Sequence, residues 1–254
     1  MISLEGKVGL VVGIANDHSI AYGCAKAFRA AGAALAITYL NDKARPFVAP
    51  LAEGLQSDLF VPCDVEVDGN LEAAFAAVEK RYGKLDFLLH SIAYAPKPDL
   101  GGRLVDSSAG GFARAMDISC HSFLRMARLA EPLMADGGSL LTVSYYGAEK
   151  VVEHYGVMGP VKAALECASL YLANELGPRG IRVNVLSPGP IATRAASGIP
   201  GFNDLLNDAE KRGPTHHLAG IGDVGAMAAF LASDLSRNMT GNIVFIDAGS
   251  HIVA

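Results

Sequence analysis

Residues 8–23 read VGLVVGIANDHSIAYG, an apolar run followed by a glycine and then by a helix-like stretch. The near-continuous apolar run is typical of a parallel strand that is covered on both faces. Gly13 permits a tight exit from this strand, and Ser19 can cap a helix whose free N–H groups face a pyrophosphate. Ala21 and Gly23 would let that helix approach the sheet closely. The spacing is not G-x-G-x-x-G, and any strand-to-helix turn favours a glycine and a cap, so this stretch alone indicates a dinucleotide site only weakly.

The alternation of apolar runs and helix-like stretches continues along the chain. The predicted strands are Val8–Val12, Ala34–Tyr39, Leu59–Pro62, Leu85–His90, Ser139–Ser144, Ile181–Ser187 and Ile243–Asp247. The predicted helices are Ile20–Ala31, Ala44–Gln56, Leu71–Tyr82, Gly111–Glu131, His154–Leu176 and Val224–Leu231. Pro46 and Pro50 weaken the second of these helices, because an interior proline costs a hydrogen bond. Right-handed crossovers between such strands predict an α/β fold with one domain over residues 1–254, a doubly wound parallel sheet of about seven strands and helices on both faces.

The composition argues against several classes of protein. With 21 Lys and Arg against 26 Asp and Glu, the formal net charge is −5, whereas a nucleic-acid binder needs a basic face. No apolar run approaches the roughly 18 residues that span a bilayer, and residues 1–12 lack the apolar centre of a signal peptide. The four cysteines form no C-x-x-C pair, so we expect small buried side chains in a reducing compartment: Cys24, Cys63, Cys120 and Cys167. A soluble, cytoplasmic protein with no metal, nucleic-acid or membrane partner is expected.

Residues 187–213 form the least regular stretch of the chain. Three prolines and three glycines crowd residues 188–201, which argues against continuous structure there. A short amphipathic helix follows, with apolar residues at i, i+3, i+4 and i+7: Phe202, Leu205, Leu206 and Ala209. An ordinary surface loop with a docked helix is one interpretation. Long loops at the carboxyl edge of a parallel sheet are usually functional, so we favour a substrate lid.

Three other strand ends carry residues suited to a nucleotide. Asp64, after the third strand, could accept hydrogen bonds from an adenine amino group, and it could equally cap the next turn. The small residues among 91–95, after the fourth strand, suit either a cofactor lying against the backbone or a tight turn. After the second strand, Leu40 offers no clamp for a 2′-phosphate, which favours NADH. Lys43 and Arg45 lie close enough to leave NADPH open.

Tyr155 and Lys162 are the strongest local signal. On one helix, seven residues correspond to about 10.5 Å of rise and ~20° of rotation, so both side chains would project from one face. The lysine could then hold the hydroxyls of a nicotinamide ribose, while a tyrosine with a pKa near ~10 stays protonated and can stabilise an oxyanion. A core tyrosine with a snorkelling lysine has the same spacing, and from spacing alone that simpler interpretation is favoured.

The motifs occur together in a recognisable order: Gly13-x5-Ser19-Ile20-Ala21-x-Gly23, Cys63-Asp64-Val65, His90-Ser91-Ile92, Tyr145-x9-Tyr155-x6-Lys162, Gly189-Pro190-Ile191 and Arg194–Ile199. Over nearly the whole chain, from Gly6 to about Ile252, the sequence resembles the bacterial enoyl-acyl-carrier-protein reductases. These are a divergent branch of the short-chain dehydrogenase/reductase superfamily. The Y-x6-K spacing is specific, because ordinary members of the superfamily use Y-x3-K, and here Gly159 stands where that lysine would be.

The resemblance implies a tetrameric Rossmann-type enzyme that uses NADH to reduce a trans-2-enoyl thioester on acyl carrier protein during fatty-acid elongation. Tyr155 would donate a hydrogen bond to the thioester carbonyl, and Lys162 would bind the nicotinamide ribose. Tyr145 matches a second active-site tyrosine that either orients the substrate or helps to deliver a proton. Acyl carrier protein is acidic, so Arg194, Lys211 and Arg212 beside the lid are candidates for a docking patch.

The resemblance also assigns the remaining contacts. The cofactor would touch Gly13, Ser19, Ile20, Leu40, Asp64, Val65, Ser91, Ile92, Ala93, Lys162, Ile191, Ala192, Thr193, Arg194 and Ala195. The substrate would touch Ala95, Tyr145, Tyr155, Met158, Phe202 and Leu205. The chain departs from common family residues at Leu40, Ala93, Gly156 and Ala248. None of these removes a catalytic group, but they leave the preferred acyl chain length open.

Two other functions remain as alternatives. A carbonyl or hydroxysteroid oxidoreductase of the same fold would need an upstream serine, and that position is Thr142, inside a predicted strand. A non-catalytic paralogue that binds a dinucleotide would not need the intact tyrosine–lysine set. Both alternatives are therefore disfavoured.

Overall fold

The computed structural model describes residues 1–193 and 201–253. Within these ranges, seven parallel strands form one sheet in the order β3-β2-β1-β4-β5-β6-β7. The strands are β1 (Val8–Val12), β2 (Ala34–Tyr39), β3 (Leu59–Pro62), β4 (Phe87–His90), β5 (Gly138–Val143), β6 (Ile181–Pro188) and β7 (Asn242–Ile246). The predicted doubly wound parallel sheet is confirmed, and each predicted strand is present to within two residues at either end.

Helices connect the strands on both faces of the sheet. They are α1 (Ile20–Ala30), α2 (Arg45–Gly54), α3 (Asn70–Tyr82), α4 (Lys97–Gly101), α5 (Ala109–Met116), α6 (Ser122–Ala130), α7 (Met158–Leu176), α8 (Phe202–Arg212) and α9 (Ile221–Ala232). Single 3₁₀ turns lie at Leu104–Asp106, Glu131–Leu133, Tyr146–Ala148, Gly177–Arg179, Asp234–Ser236 and Ser250–Ile252. Helix α2 forms despite its prolines: Pro46 falls in the first turn, where a missing N–H is tolerated, and Pro50 is accommodated inside the helix.

Two of the predicted helices were wrong in extent. The helix predicted over Gly111–Glu131 is interrupted by a π turn, Asp117–His121, which separates α5 from α6. The helix predicted over His154–Leu176 begins only at Met158, because His154 and Gly156 have φ angles of 61° and 48° in the left-handed region.

Tyr155 therefore lies in the turn before α7, so the prediction that Tyr155 and Lys162 share one helical face is wrong. Gly156 allows this turn to pack closely, since a Cβ on it would meet the Leu100 carbonyl oxygen at 2.5 Å. The turn therefore requires a glycine at this position.

The two sides of the sheet have separate apolar cores. Leu10 of β1 faces the core formed with α3, α5, α6 and α7, whereas Val11 faces the core formed with α1, α2 and α9. Gly9 makes room for the Phe87 ring, which packs against Phe28 of α1 with ring centroids 4.6 Å apart. The strands are thus fixed on both faces, and their carboxyl ends form one edge of the sheet.

Two smaller expectations are corrected by the packing. Gly23 brings α1 close to α9, not to the sheet, because a Cβ on Gly23 would meet the Ile221 carbonyl oxygen at 2.3 Å. Cys167 is exposed on α7, unlike the buried thiols of the other three cysteines. Among the described residues, no helix combines the length and the apolar character that a membrane crossing needs.

Candidate active site

The predicted cofactor residues lie at the carboxyl edge of the sheet, where β1 separates β2 from β4 and the order of connection reverses. Ligands of doubly wound sheets bind at such a switch point. Gly13 has a φ of 116°, and a Cβ there would meet the Ser91 carbonyl oxygen at 2.1 Å. Only glycine therefore fits this close approach between the exits of β1 and β4. Ile92 and Ala93 continue the segment after β4.

Ser19 does not cap α1 through its side chain. Its hydroxyl oxygen accepts hydrogen bonds from the backbone N–H groups of Ala15 and Asn16, both at 3.0 Å. The hydroxyl thus holds the loop before the helix in place, and the N–H groups of the first turn, which includes Ile20, receive no side-chain cap. Uncapped N–H groups at a helix start suit an anionic ligand.

The ends of β2 and β3 are organised by local turns. Asp64 Oδ1 accepts a hydrogen bond from the Glu66 backbone N–H at 3.0 Å, so the capping interpretation of this carboxylate is confirmed. Val65 beside it is buried in the core. The Leu40 residue is 52% exposed at the end of β2. Contacts of these three residues with an adenosine stay predictions.

The segment after β6 belongs to the same edge. Two residues, Gly189 and Pro190, separate the end of β6 from Ile191, Ala192 and Thr193, and Ile191 packs against the core on the α1 side. Arg194 and Ala195 lie outside the described residues. The predicted lid over residues 187–213 is therefore described only in part, through the end of β6, residues 189–193 and α8.

The π turn fixes the backbone beside the predicted substrate contacts. Ser119 Oγ accepts a hydrogen bond from the Tyr94 N–H at 2.9 Å and donates one to the Tyr94 carbonyl oxygen at 3.1 Å. A single side chain thus pairs both backbone groups of Tyr94. Ala95, predicted to touch the substrate, follows this clamped residue. Sequence reasoning missed Ser119, since no pattern in the chain marks the extra residue of a π turn.

Tyr145 and Tyr155 meet at the end of β5. Their ring centroids lie 5.1 Å apart with the planes inclined by 66°. Burial raises the pKa of both phenols, so each carries its proton at neutral pH. The Tyr145 hydroxyl is buried with no hydrogen-bond partner among the described residues. An unpaired buried donor beside a cleft is free to bind a ligand atom, which suits the predicted role of this tyrosine.

Lys162 is buried on α7, seven residues after Tyr155. Its Nζ donates a hydrogen bond to the Val143 carbonyl oxygen at 2.7 Å, which ties α7 to the end of β5. Burial lowers the pKa of the ammonium to about 8, so it is mainly charged at pH 7. The snorkelling interpretation is wrong, because the residue is only 5% exposed.

A cleft of about 470 Å³ opens between the Tyr145 turn, α8 and the C-terminal turn. It is lined by Tyr145, Tyr146, Val151, Val152, Glu153, His154, Gly201, Asp204, Leu205, Asp208, Ala209, Arg212, Ser250 and Val253. Two predicted substrate residues, Tyr145 and Leu205, are among them. Ala95, Tyr155, Met158 and Phe202 are not, and Met158 is buried in the core at 4% exposure. Sequence reasoning missed residues 151–154 and the C-terminal residues, whose approach to α8 depends on tertiary packing.

The apolar face of α8 is turned inward, as predicted, since Phe202, Leu205, Leu206 and Ala209 are all half-buried. The predicted basic patch is weaker than expected. Arg212 forms an ion pair with Asp208 at 3.1 Å, which offsets its charge. Lys211 is exposed on the same helix, and Arg194 lies outside the described residues.

Comparisons with known proteins agree with this geometry. Residues 13–251 match the family model described as enoyl-(acyl carrier protein) reductase. The chain belongs to the enoyl-(acyl carrier protein) reductase family. It is 48% identical over 250 residues to the enoyl-acyl-carrier-protein reductase (NADH) 1 of Rhizobium meliloti, covering 98% of this chain and 92% of that protein.

Solved structures of enoyl-(acyl carrier protein) reductases superpose closely on this chain. The crystal structure from Anaplasma phagocytophilum in complex with NAD has a TM-score of 0.95 at 48% identity, covering 99% of this chain and 96% of that one. The Bacillus cereus enzyme with NADP⁺ and an indole naphthyridinone has a TM-score of 0.97 at 43% identity, with 100% of both chains covered. The resemblance stated from the motifs is confirmed, and the protein is an oxidoreductase of the Rossmann type.

Proposed function

We propose that this protein catalyses the NADH-dependent reduction of trans-2-enoyl thioesters on acyl carrier protein to saturated acyl thioesters, with residues 1–254 acting as one catalytic domain. The observation that carries this proposal is the grouping of Tyr145, Tyr155 and Lys162 at the carboxyl edge of the sheet. Two protonated phenols and a buried ammonium lie there within the family's Y-x6-K framework. Full-length similarity to NADH-dependent relatives supports the cofactor and the reaction.

The residues present fit a dinucleotide. Gly13 allows the close approach between the exits of β1 and β4, where a Cβ would meet the Ser91 carbonyl oxygen, and the uncapped start of α1 offers N–H groups to a pyrophosphate. Lys162 uses one of its three N–H donors on Val143, so two remain for the hydroxyls of the nicotinamide ribose. The Leu40 position carries no cation for a 2′-phosphate, which favours NADH over NADPH.

Tyr155 acts as the hydrogen-bond donor to the substrate. When bound, NADH supplies a hydride for the β-carbon of the enoyl thioester. Negative charge then develops on the thioester oxygen, and the Tyr155 hydroxyl stabilises that charge by donating a hydrogen bond to it. The enolate then takes a proton from water at its α-carbon, which gives the saturated thioester. Because burial raises the pKa of this phenol, Tyr155 retains the proton it needs for donation.

Tyr145 and α8 shape the substrate site. The Tyr145 hydroxyl has no partner among the described residues and lines the cleft, so it orients the substrate beside Tyr155. Leu205 projects from α8 into the same cleft and offers an apolar contact for an acyl chain. The segment 187–213 would then act as the substrate lid, with exposed Lys211 among the residues that attract the acidic carrier protein.

The enoyl reduction itself is tested by following NADH absorbance at 340 nm with crotonyl and longer 2-enoyl thioesters. Oxidation that requires the enoyl thioester supports the proposal, and the same assay with NADPH gives the cofactor preference. Binding of NADH without turnover of any enoyl thioester would overturn it. Turnover of ketones in place of enoyl thioesters would favour a carbonyl reductase, although the position of its upstream serine is occupied by the fully buried Thr142.

A homotetramer is proposed from the exposed face of α7. Leu170 and Tyr171 are 47% and 68% exposed on this helix, next to exposed Cys167. Neighbouring apolar side chains at a surface are typical of subunit contacts. Light scattering coupled to gel filtration should give four times the mass of the 26.4 kDa chain, and a monomer at micromolar concentration would contradict the proposal.

The free cysteines support a reducing, cytoplasmic location.

A further inference from the structure

A second charged residue lies on the buried face of α7, one turn after Lys162. Glu166 is only 6% exposed, and its Oε1 accepts a hydrogen bond from Ser144 Oγ at 2.5 Å. Ser144 is itself 3% exposed. Burying a carboxylate costs free energy unless the charge is paired. We therefore expect the buried Glu166 beside the catalytic groups to have a function. The reaction described above uses neither residue.

Lys162 and Glu166 both bind the end of β5. Residues four apart on a helix stack on the same face, and these two bind consecutive residues at the end of β5. Lys162 binds the backbone of Val143, and Glu166 binds the side chain of Ser144. The next residue along the chain is Tyr145. Both contacts therefore hold the segment from which this tyrosine projects toward Tyr155.

The charges around Lys162 leave Glu166 as its anionic partner among the described residues. The other titratable groups that act on Lys162 are His90 and Cys120. Burial lowers the pKa of His90 to about 3 and raises the pKa of the Cys120 thiol, so both are neutral at pH 7. Burial raises the pKa of the Glu166 carboxyl, and the like charge of Glu149 adds to this effect. The hydrogen bond from Ser144 and the charge of Lys162 favour the ionised form.

We infer that Glu166 and Ser144 are positioning residues of the catalytic centre: Ser144 fixes the Tyr145 segment, and the Glu166 carboxylate keeps Lys162 charged and Tyr155 protonated. The second role follows from the sign of the charge. A negative neighbour favours an ammonium over an amine and a phenol over a phenolate, so it raises the pKa of both groups. The inference rests on the proposed function for the part played by Tyr155, and on cofactor binding for the part played by Lys162.

The charge is tested with Glu166→Gln, which keeps the size of the side chain and an oxygen that can accept the Ser144 hydrogen bond. Without the charge, Lys162 and Tyr155 both lose their protons at lower pH. We expect kcat/KM near the wild-type value at pH 6.5 and about tenfold below it at pH 8.5, since a shift of one pKa unit changes a protonation equilibrium tenfold. The Kd for NADH, measured by nicotinamide fluorescence, should rise over the same pH range.

Two further variants separate charge from packing. Glu175→Gln removes an exposed carboxylate from the same helix. Its kcat/KM and its Kd for NADH should depend on pH as they do in the wild type. Ser144→Ala keeps the Glu166 charge and removes the hydrogen bond, so we expect a lower kcat at every pH with the alkaline fall in kcat/KM unmoved. If Glu166→Gln does not fold, Glu166→Asp retains the charge and should retain the wild-type alkaline limit.

Several outcomes would overturn the inference. If kcat/KM of Glu166→Gln depends on pH as it does in the wild type, whatever its absolute value, the carboxylate contributes only to packing. An equal shift in Glu175→Gln would assign the effect to the net charge of the protein. If the wild-type protein fails to reduce enoyl thioesters, the proposed function fails, whereas the pH dependence of NADH binding still decides the role of Glu166.

Discussion

The ring of Tyr155 packs edge to face against the ring of Tyr145, with centroids 5.1 Å apart and planes inclined by 66°. Aromatic pairs favour such tilted geometry, so each ring limits the orientation of the other. The contact joins two different elements, the end of β5 and the turn before α7. Donation to the substrate from one phenol therefore depends on the position of the second.

The two tyrosines should differ in kinetic effect when each loses its hydroxyl. Tyr155→Phe keeps the ring contact and removes the donor to the thioester oxygen, so we expect kcat to fall by about 10²–10³-fold. Tyr145→Phe removes a hydroxyl that orients the substrate, so we expect mainly a higher KM. Steady-state kinetics with a 2-enoyl thioester measure both. Equal and small losses of kcat in the two variants would contradict the assignment of Tyr155.

Gly13→Ala should disrupt the exit of β1. The substitution adds a Cβ at a φ of 116° and places it 2.1 Å from the Ser91 carbonyl oxygen. Left-handed strain and overpacking each cost about 1–3 kcal/mol, so we expect the free energy of unfolding to fall by at least about 2 kcal/mol. NADH binding should weaken as well, because the exits of β1 and β4 must separate. Urea denaturation and fluorescence titration measure the two effects.

Gly54→Ala is the matched control for this substitution. Gly54 lies in α2, and a Cβ there meets no atom within 4 Å. Alanine is favoured over glycine inside a helix, so this variant should gain roughly 0.5–1 kcal/mol. A Gly13→Ala protein as stable as Gly54→Ala would refute the close approach.

The sequence predicted the sheet well because most strand residues are buried on both faces and read as apolar runs. The sequence did not predict where a helix is interrupted by one extra residue or where it begins. Nothing in DISCH, residues 117–121, marks a π turn, and the left-handed His154 gave no sign that α7 begins only at Met158. Lys162 and Tyr155 were still found, because their spacing is a family motif that persists although the two residues do not share a helix.

Glu166 shows a signal that sequence analysis could have used. It stands four residues after Lys162 on a stripe that also contains Val161 and Leu165, so a helical projection places an acid among apolar residues. The cleft offered no comparable signal. Val253 and Leu205 line it together only because α8 folds against the C-terminal turn, and that contact joins segments far apart in the chain.

His90 should make the protein sensitive to acid. Ser122 Oγ donates to the Ile118 carbonyl oxygen, so it accepts from His90 Nε2, and Thr142 donates to Nδ1 of the same ring. The buried ring is thus held neutral, and burial lowers its pKa from 6.5 to about 3. As pH falls below 6.5, the His90 ring binds a proton in the unfolded chain but stays neutral in the folded chain. Stability is therefore lost between pH 6.5 and 3.

The size of this effect can be measured by urea denaturation. From pH 7 to pH 5, His90 alone should remove about 2 kcal/mol of the free energy of unfolding. In His90→Gln that contribution disappears, so the difference in stability between the two pH values should shrink by the same amount, whatever the stability at pH 7. His216→Asn, an exposed control, should leave the difference unchanged. An unchanged difference in His90→Gln would show that the ring is protonated in the folded protein.

Ala248→Gly should stabilise the protein. Ala248 has a φ of 58°, in the left-handed region, where a side chain with a Cβ is strained. This conformation costs a residue with a Cβ about 1–2 kcal/mol, while the added freedom of glycine in the unfolded chain costs about 0.4–1 kcal/mol. We expect a net gain of roughly 0.5–1 kcal/mol in denaturant unfolding.

The hydrogen bond from Thr215 Oγ1 to the Ala248 carbonyl oxygen does not involve the methyl group, so Ala248→Gly leaves it intact. Gly249 provides the matched comparison, because it also has a positive φ, 84°, and already lacks a Cβ. Gly249→Ala should lose stability by about the amount of the strain that Ala248 now carries, and more because its Cβ would lie 3.1 Å from Pro214. If Ala248→Gly destabilises the chain, the turn after β7 does not hold this residue in the left-handed region.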